Sequence, residues 1–206
     1  MNSAAGEQVD RLASEKPRPL KKRVGVLISG TGSNMKALVA ASSDSNYEIA
    51  CVVSNKADAG GIAWAKDQGI ATKVINHRDY LSREAFDAAL NGYLQSQHLD
   101  AIACAGFMRI MTPVLITSWA GRMLNIHPSL LPKYKGLHTH QRAIEAGDKE
   151  AGCTVHLVTL ELDGGPVLAQ ARVPVLPGDT SETLAARVLI EEHQIYPRAL
   201  KDFLSA

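Results

Sequence analysis

Short apolar runs of strand length alternate along this chain with segments of helical spacing. Val24–Ile28 is one such run, and Asn34–Ala41 follows it with helical periodicity after a glycine-rich turn. Glu48–Val53 predicts the next strand, Gly61–Gln68 a helix stopped by Gly69, and Ala71–Ile75 a third strand. Ser82–Leu99 reads as a capped helix, with Ser82 as N-cap and Glu84 and Asp87 in its first turns. Ala101–Ala105 is a buried strand, and Thr112-Pro113 opens a helix to about Trp119 ahead of the strand Met123–Ile126. Repeated β-α-β units of this kind imply a parallel sheet covered by helices on both faces. From Gly152 the pattern changes: Cys153–Thr159 and Pro166–Val175 are strands joined at the Asp163 turn with no helix between them. That predicts an antiparallel addition at the C-terminal end, closed by an amphipathic helix from Thr180 to about Leu204 with a bend at Pro197.

The expected class is therefore α/β, a Rossmann-like mostly parallel sheet with helices on both faces and an antiparallel C-terminal addition. With 206 residues, 46% of them hydrophobic, the chain can bury one substantial core, so residues 21–206 are read as a single domain. The formal net charge of +1 lacks the single-sign field of a dedicated nucleic-acid or membrane-surface binder. Cys51, Cys104 and Cys153 lie far apart in apolar, strand-like contexts with no Cys-x-x-Cys pair, which suits a reducing, cytoplasmic interior. No segment reaches the ~20 continuous apolar residues that span a bilayer. Residues 1–20 are polar, without the apolar stretch of a signal peptide, and are read as a disordered leader.

Three constellations carry chemistry. In Ser29-Gly30-Thr31-Gly32-Ser33-Asn34 a strand runs into a glycine-rich turn and a helix N-terminus, whose free N–H groups and positive dipole end suit an anion. Met35 stands where a dinucleotide fingerprint needs its third glycine, and the next strand ends in Ser54-Asn55-Lys56 without an acidic residue. A monophosphate fits better than a dinucleotide, although a tight βα turn wants glycines for its own sake. In Asn125-Ile126-His127 the amide and the imidazole share one face of an extended segment at the carboxyl end of a parallel strand, where such sheets bind ligands. An amide donor beside an imidazole suits a reaction that develops negative charge on oxygen and moves a proton. A carboxylate on the Asp163-Gly164-Gly165-Pro166 turn can orient the ring, and the layout reads as acyl-type transfer; Asp-Gly is also an ordinary turn dipeptide. His138 and His140, with His127 and His156, raise a metal reading, but a closed zinc site takes four ligands and the cysteines lie elsewhere, so no metal is expected. His138 and Thr139 serve equally as helix-start residues, and Lys133, Tyr134 and Lys135 as a solvated basic-aromatic loop.

Gly32-Ser33-Asn34, Ser54 to Ala59, Ala105 to Ile110, Asn125 to Pro132, and Leu162 to Pro166 together resemble the phosphoribosylglycinamide formyltransferases, in that family's order and near its spacing from about Val24 to Leu200. The resemblance implies formyl transfer from 10-formyltetrahydrofolate, as co-substrate, to the amine of glycinamide ribonucleotide in de novo purine synthesis. It implies that Gly32, Ser33 and Asn34 hold the substrate phosphate and that Glu192 binds its ribose side. It assigns folate contacts to Arg83, Met108, Arg109, Ile110, Met111, Asn125 and the loop Thr159, Leu160, Glu161, Leu162 and Asp163. It makes Asn125, His127 and Asp163 catalytic, and it likens Leu131-Pro132 to a cis peptide. Lys135, where the family often has proline, and Leu160, where a polar residue is common, depart from its pattern. Methionyl-tRNA formyltransferases generally add a C-terminal RNA domain and formyltetrahydrofolate deformylases an N-terminal regulatory one; neither is expected here. The partners expected are small molecules, with no nucleic acid and no membrane, and the oligomeric state stays open, a homodimer included. A nicotinamide oxidoreductase or a non-enzymatic nucleotide-binding module on the same sheet is the rival from another class.

Overall fold

A computed structural model describes residues 21–206, so the leader expected over residues 1–20 lies outside the described residues. Seven strands form one sheet: β1 (Lys22–Ile28), β2 (Tyr47–Ser54), β3 (Ala71–Val74), β4 (Ala101–Cys104), β5 (Met123–His127), β6 (Glu150–Leu157) and β7 (Val167–Pro174). Their order is β3-β2-β1-β4-β5-β6-β7. The strands β1 to β5 are parallel, and β6 and β7 run antiparallel to their neighbours. The mostly parallel α/β class with an antiparallel end is thus as the sequence pattern predicts. Among the described residues six α-helices cover the sheet: α1 (Ser33–Ala41), α2 (Gly60–Asp67), α3 (Arg83–Ser96), α4 (Pro113–Ser118), α5 (Thr139–Glu145) and α6 (Ser181–Phe203).

Strand parity separates two cores. Val24, Val26 and Ile28 of β1 point to the face that holds Met35 and Leu38 of α1 and Leu184, Val188 and Tyr196 of α6. Leu27 points the other way, with Phe86, Leu90 and Leu94 of α3 and Leu115 of α4. Gly25 belongs to this second face, where a Cβ would stand 2.6 Å from Leu99 Cδ1; glycine lets α3 and its following turn press onto the sheet.

Several boundaries move from the sequence reading, each for a local reason. The helix α3 ends at Ser96 rather than at Leu99, because His98 turns left-handed at φ 52°. Strand β6 starts earlier and ends earlier than Cys153–Thr159. Its first residue, Glu150, pairs with Pro174, while Val158 N leaves the β7 ladder to donate to Met123 O. The strand β5 runs on to His127, and α6 continues through Pro197 as one element. The Leu131-Pro132 peptide is cis.

The chain passes from β3 on one side of β1 to β4 on the other, so the sheet's switch point lies between β1 and β4. A crevice outside the carboxyl ends of adjacent strands opens at such a point. The loops that follow β1, β4 and β5 all meet there.

Candidate active site

The loop after β1 enters α1 through Gly32, which is left-handed at φ 72° and has no side-chain capping bond. Lys36 N is the first α1 donor to find a carbonyl, that of Gly32. The N–H groups of the first turn are therefore left for a ligand. Gly61, at the start of α2, packs under this loop: its N–H donates to Gly30 O at 3.1 Å, and a Cβ there would stand 2.6 Å from Ile28 Cδ1.

Asn34 is 8% exposed and its Nδ2 donates to Glu192 Oε2 at 2.6 Å, across 158 residues of chain. Glu192, which the family resemblance assigns to the ribose side, is 7% exposed. It sits in the buried stripe Leu184, Val188, Glu192, Tyr196 and Leu200, one residue per turn of α6. A glutamate at the centre of an apolar i, i+4 stripe was a sequence signal for this position. The stripe is anchored by Tyr196, whose hydroxyl lies 3.0 Å from Cys104 O and 3.2 Å from Leu124 O. Burial pushes the Glu192 carboxyl above its usual range, opposed by the Asn34 hydrogen bond and by nearby His127. Asn34 Oδ1 is buried with no hydrogen-bond partner among the described residues.

Asn125 and His127 stand on one face of β5, as the alternation predicts, and β6 lies beside them in register. Asn125 faces His156 and His127 faces Thr154 across that pair. Asp163 comes from the turn between β6 and β7, left-handed at φ 49°, a conformation aspartate tolerates better than most residues. The sequence left open whether it reaches His127. The structure brings its Oδ2 to 3.4 Å from His127 Nδ1, with the two side chains 9% and 8% exposed. Gly136 N donates to the same oxygen at 2.8 Å, and His127 Nε2 donates to Tyr134 O at 3.0 Å. Both ring nitrogens of His127 therefore face acceptors.

His156, which enters the sequence analysis only as one of the histidines of a metal reading, belongs to this group. Its Nδ1 donates to Leu157 O at 2.9 Å, which leaves Nε2 as the acceptor for Asn125 Nδ2 at 3.2 Å. Burial, the largest influence, pulls its pKa below the usual histidine range, which favours the neutral ring. The 3.7 Å approach of its Nε2 to Asp163 Oδ1 is accordingly not an ion pair. His156 shares its face with Thr154, opposite His127, and that parity was the available signal.

The residues assigned to folate divide into two walls. Met108, Arg109, Ile110 and Met111 lie on the loop after β4, with Met108 66% and Ile110 62% exposed. Arg83 is exposed at the first turn of α3, and Arg109 stacks over Phe86, one turn further along, at 5.7 Å. The second wall is Thr159, Leu160, Glu161, Leu162 and Asp163, where Leu160 and Leu162 are exposed. Thr159 Oγ1 donates to Glu161 O, and Glu161 pairs with Lys135 Nζ at 2.6 Å, tying this turn to the Tyr134 loop. Gly165 ends the turn; a Cβ there would stand 1.9 Å from Leu157 O. Lys133 pairs with Asp148, which also accepts from Tyr134 Oη at 2.8 Å, so the basic-aromatic loop is internally neutralised. His138 stands at the N-cap position of α5 without a side-chain capping bond, and His140 follows inside the helix; among the described residues no three potential ligands cluster as a metal site.

Residues 22–200 match the family model described as "Formyl transferase". The chain is 49% identical over 180 residues to phosphoribosylglycinamide formyltransferase of Escherichia coli, covering 86% of this chain and 85% of that protein. It is 47% identical over 199 residues to the trifunctional purine biosynthetic protein adenosine-3 of Chironomus tentans, covering 95% of this chain. The chain spans 14% of the length of that trifunctional protein. Among solved structures, phosphoribosylglycinamide formyltransferase from Brucella melitensis superposes with a TM-score of 0.86 at 54% identity, covering 90% of this chain and 97% of that one.

Proposed function

The chain belongs to the formyl transferase family, and from that premise we propose that it moves a formyl group from 10-formyltetrahydrofolate to the amine of glycinamide ribonucleotide, a step of de novo purine synthesis. The observation that carries the reading is the convergence of Asn125, His127 and Asp163 beside an uncapped helix N-terminus at the sheet's switch point.

Gly32, Ser33 and Asn34 bind the ribonucleotide phosphate through the free N–H groups of α1. Glu192 and the unpaired Oδ1 of Asn34 accept from the ribose hydroxyls. Arg83, Met108 to Met111 and the turn Thr159 to Asp163 receive the folate, with exposed apolar side chains on both walls to cover a planar ring. The substrate amine attacks the formyl carbon directly, and the carbonyl oxygen gains negative charge as the tetrahedral intermediate forms. Asn125 donates one amide hydrogen to His156, and its second stabilises that oxygen together with His127. The carboxylate and carbonyl facing the two nitrogens of His127 suit a ring that carries hydrogens on both. The amine loses a proton and the folate nitrogen gains one; Asp163, beside His127, is placed to relay it through water. No covalent enzyme intermediate is needed, and no metal takes part.

No helix among the described residues is long and apolar enough to cross a membrane. The reactants are small, soluble and cytoplasmic, and the activity needs neither nucleic acid nor membrane. A spectrophotometric assay of folate release, run with and without glycinamide ribonucleotide, tests the reading. Release that depends on the ribonucleotide and collapses in His127→Ala is expected. Release without an acceptor would instead identify a hydrolase, and no release would reject formyl transfer.

A further inference from the structure

The loop that carries Met108, Arg109, Ile110 and Met111 is held at both ends by buried side chains from elements outside it. At its start, Met108 N donates to Ser29 Oγ at 2.7 Å, and the Ser29 hydroxyl donates in turn to Asn55 Oδ1 at 2.6 Å. Ser29 N also donates to Gly106 O at 3.0 Å, so the last residue before the anion loop is fastened to the loop after β4 on both its backbone and its side chain. At the far end, Thr112 N donates to Asp87 Oδ2 at 2.5 Å. Ser29, Asn55 and Asp87 are 6%, 1% and 1% exposed. Arg109 lies between the two fastenings, over the ring of Phe86, which neighbours Asp87 on α3.

Between these two buried points the loop presents apolar side chains to solvent, a costly display that packing within the domain does not explain. A carboxyl on the buried side of α3 is equally costly: burial raises the pKa of Asp87, with its bond from Thr112 and the charge of Arg109 opposing. Its distinctive contribution is to fix where the loop ends and α4 begins. A binding wall must be held to within a fraction of an ångström by groups whose own positions are locked, and a loop gains that precision only from supports such as these.

We propose that Asp87 and Ser29 are positioning residues for the co-substrate: they clamp the two ends of the Met108–Met111 loop so that it stands as a preformed wall for the folate ring. This rests on the formyl-folate reading above. Neither side chain needs to touch the folate. Without a clamp the loop samples more conformations, and the folate must order it on binding, which weakens affinity for that substrate alone.

The test compares wild type with Asp87→Ala, Asp87→Asn and Ser29→Ala. It measures KM for each substrate, kcat, thermal melting, and direct fluorescence titration of 10-formyltetrahydrofolate. Asp87→Ala and Ser29→Ala should raise the folate KM and dissociation constant about tenfold, a change of ~1.4 kcal/mol. The ribonucleotide KM should stay within about threefold. Asp87→Asn keeps an oxygen acceptor for Thr112 N and should recover most of the folate affinity. Equal weakening of both substrates would assign these residues to general stability and overturn the proposal, as would unchanged folate binding in Ser29→Ala and Asp87→Ala. Should Asp87→Ala not fold, Ser29→Ala and Asp87→Asn decide: a folate-selective loss in the former with recovery in the latter supports the clamp, and any other pair of results rejects it. Wild type that binds folate but does not transfer formyl to the ribonucleotide would reject the proposed activity and leave the clamp to be judged by titration. Wild type that binds no folate would reject both.

Discussion

Replacing Asn125 by alanine separates the chemistry of the site from its architecture. The amide is half-buried on β5, and its orientation is set by His156: that ring gives its Nδ1 hydrogen to Leu157 O, so its Nε2 can only accept. One N–H of Asn125 is thus committed at 3.2 Å and the other remains for the developing oxyanion. Losing one such donor costs about 100- to 1000-fold in kcat, or about 2.7–4 kcal/mol of transition-state stabilisation. Because the oxygen carries this charge only in the transition state, both KM values should change little. The same truncation strips His156 Nε2 of its donor, in a side chain 3% exposed. An unsatisfied buried group costs about 1–3 kcal/mol, and a domain of this size loses ~2–4 °C in melting temperature for each kcal/mol. Steady-state kinetics at saturation of both substrates, alongside a melting curve, measure the two effects separately. A purified Asn125→Ala protein that turns over within about threefold of wild type would refute the oxyanion role of this amide, whatever its melting temperature.

Other expectations test neighbouring links. His156→Leu removes the acceptor that orients Asn125, so kcat should fall about tenfold or more with both KM values near wild type; an unchanged kcat counts against that orientation. Burial holds the Glu192 carboxyl above the usual carboxylate range, so its contribution to stability is fully present below that range and is lost as pH rises through the raised folded pKa. Glu192→Gln should therefore melt at least as high as wild type at pH 7, with the advantage shrinking toward pH 4, while the ribonucleotide KM rises; a lower melting temperature at pH 7 contradicts the burial argument. Gly165→Ala puts a Cβ 1.9 Å from Leu157 O and should destabilise by ~4 kcal/mol or more, read by denaturant titration; near-wild-type stability would mean the turn relaxes freely. Incubation with a chelator should leave turnover unchanged, and a loss restored by a divalent cation would require a metal in the mechanism.

Local periodicities carry information within a few residues, and those parts of the molecule were legible in the sequence. Period-two alternation put Asn125 and His127 on one face, and the βα repeat implied a parallel sheet with a ligand crevice at its carboxyl ends. The glycines of Gly30-Thr31-Gly32 marked the turn into α1, and the antiparallel end was visible in the missing helix between β6 and β7. Element ends shifted by a few residues because caps and ladder partners, not propensity, decide where a helix or strand stops. Distances between remote residues belong to the tertiary structure alone. Pairing of β5 with β6 set His156 against Asn125, and the Gly165 turn then carried Asp163 back onto His127, 36 residues away by number. Packing of α6 across the sheet brought Glu192 to Asn34, and the sheet order brought Ser29 to Met108 and α3 to the loop at Thr112. Side chains this far apart meet only when register, crossover and burial act together, because no local pattern encodes which strand edge will lie beside which.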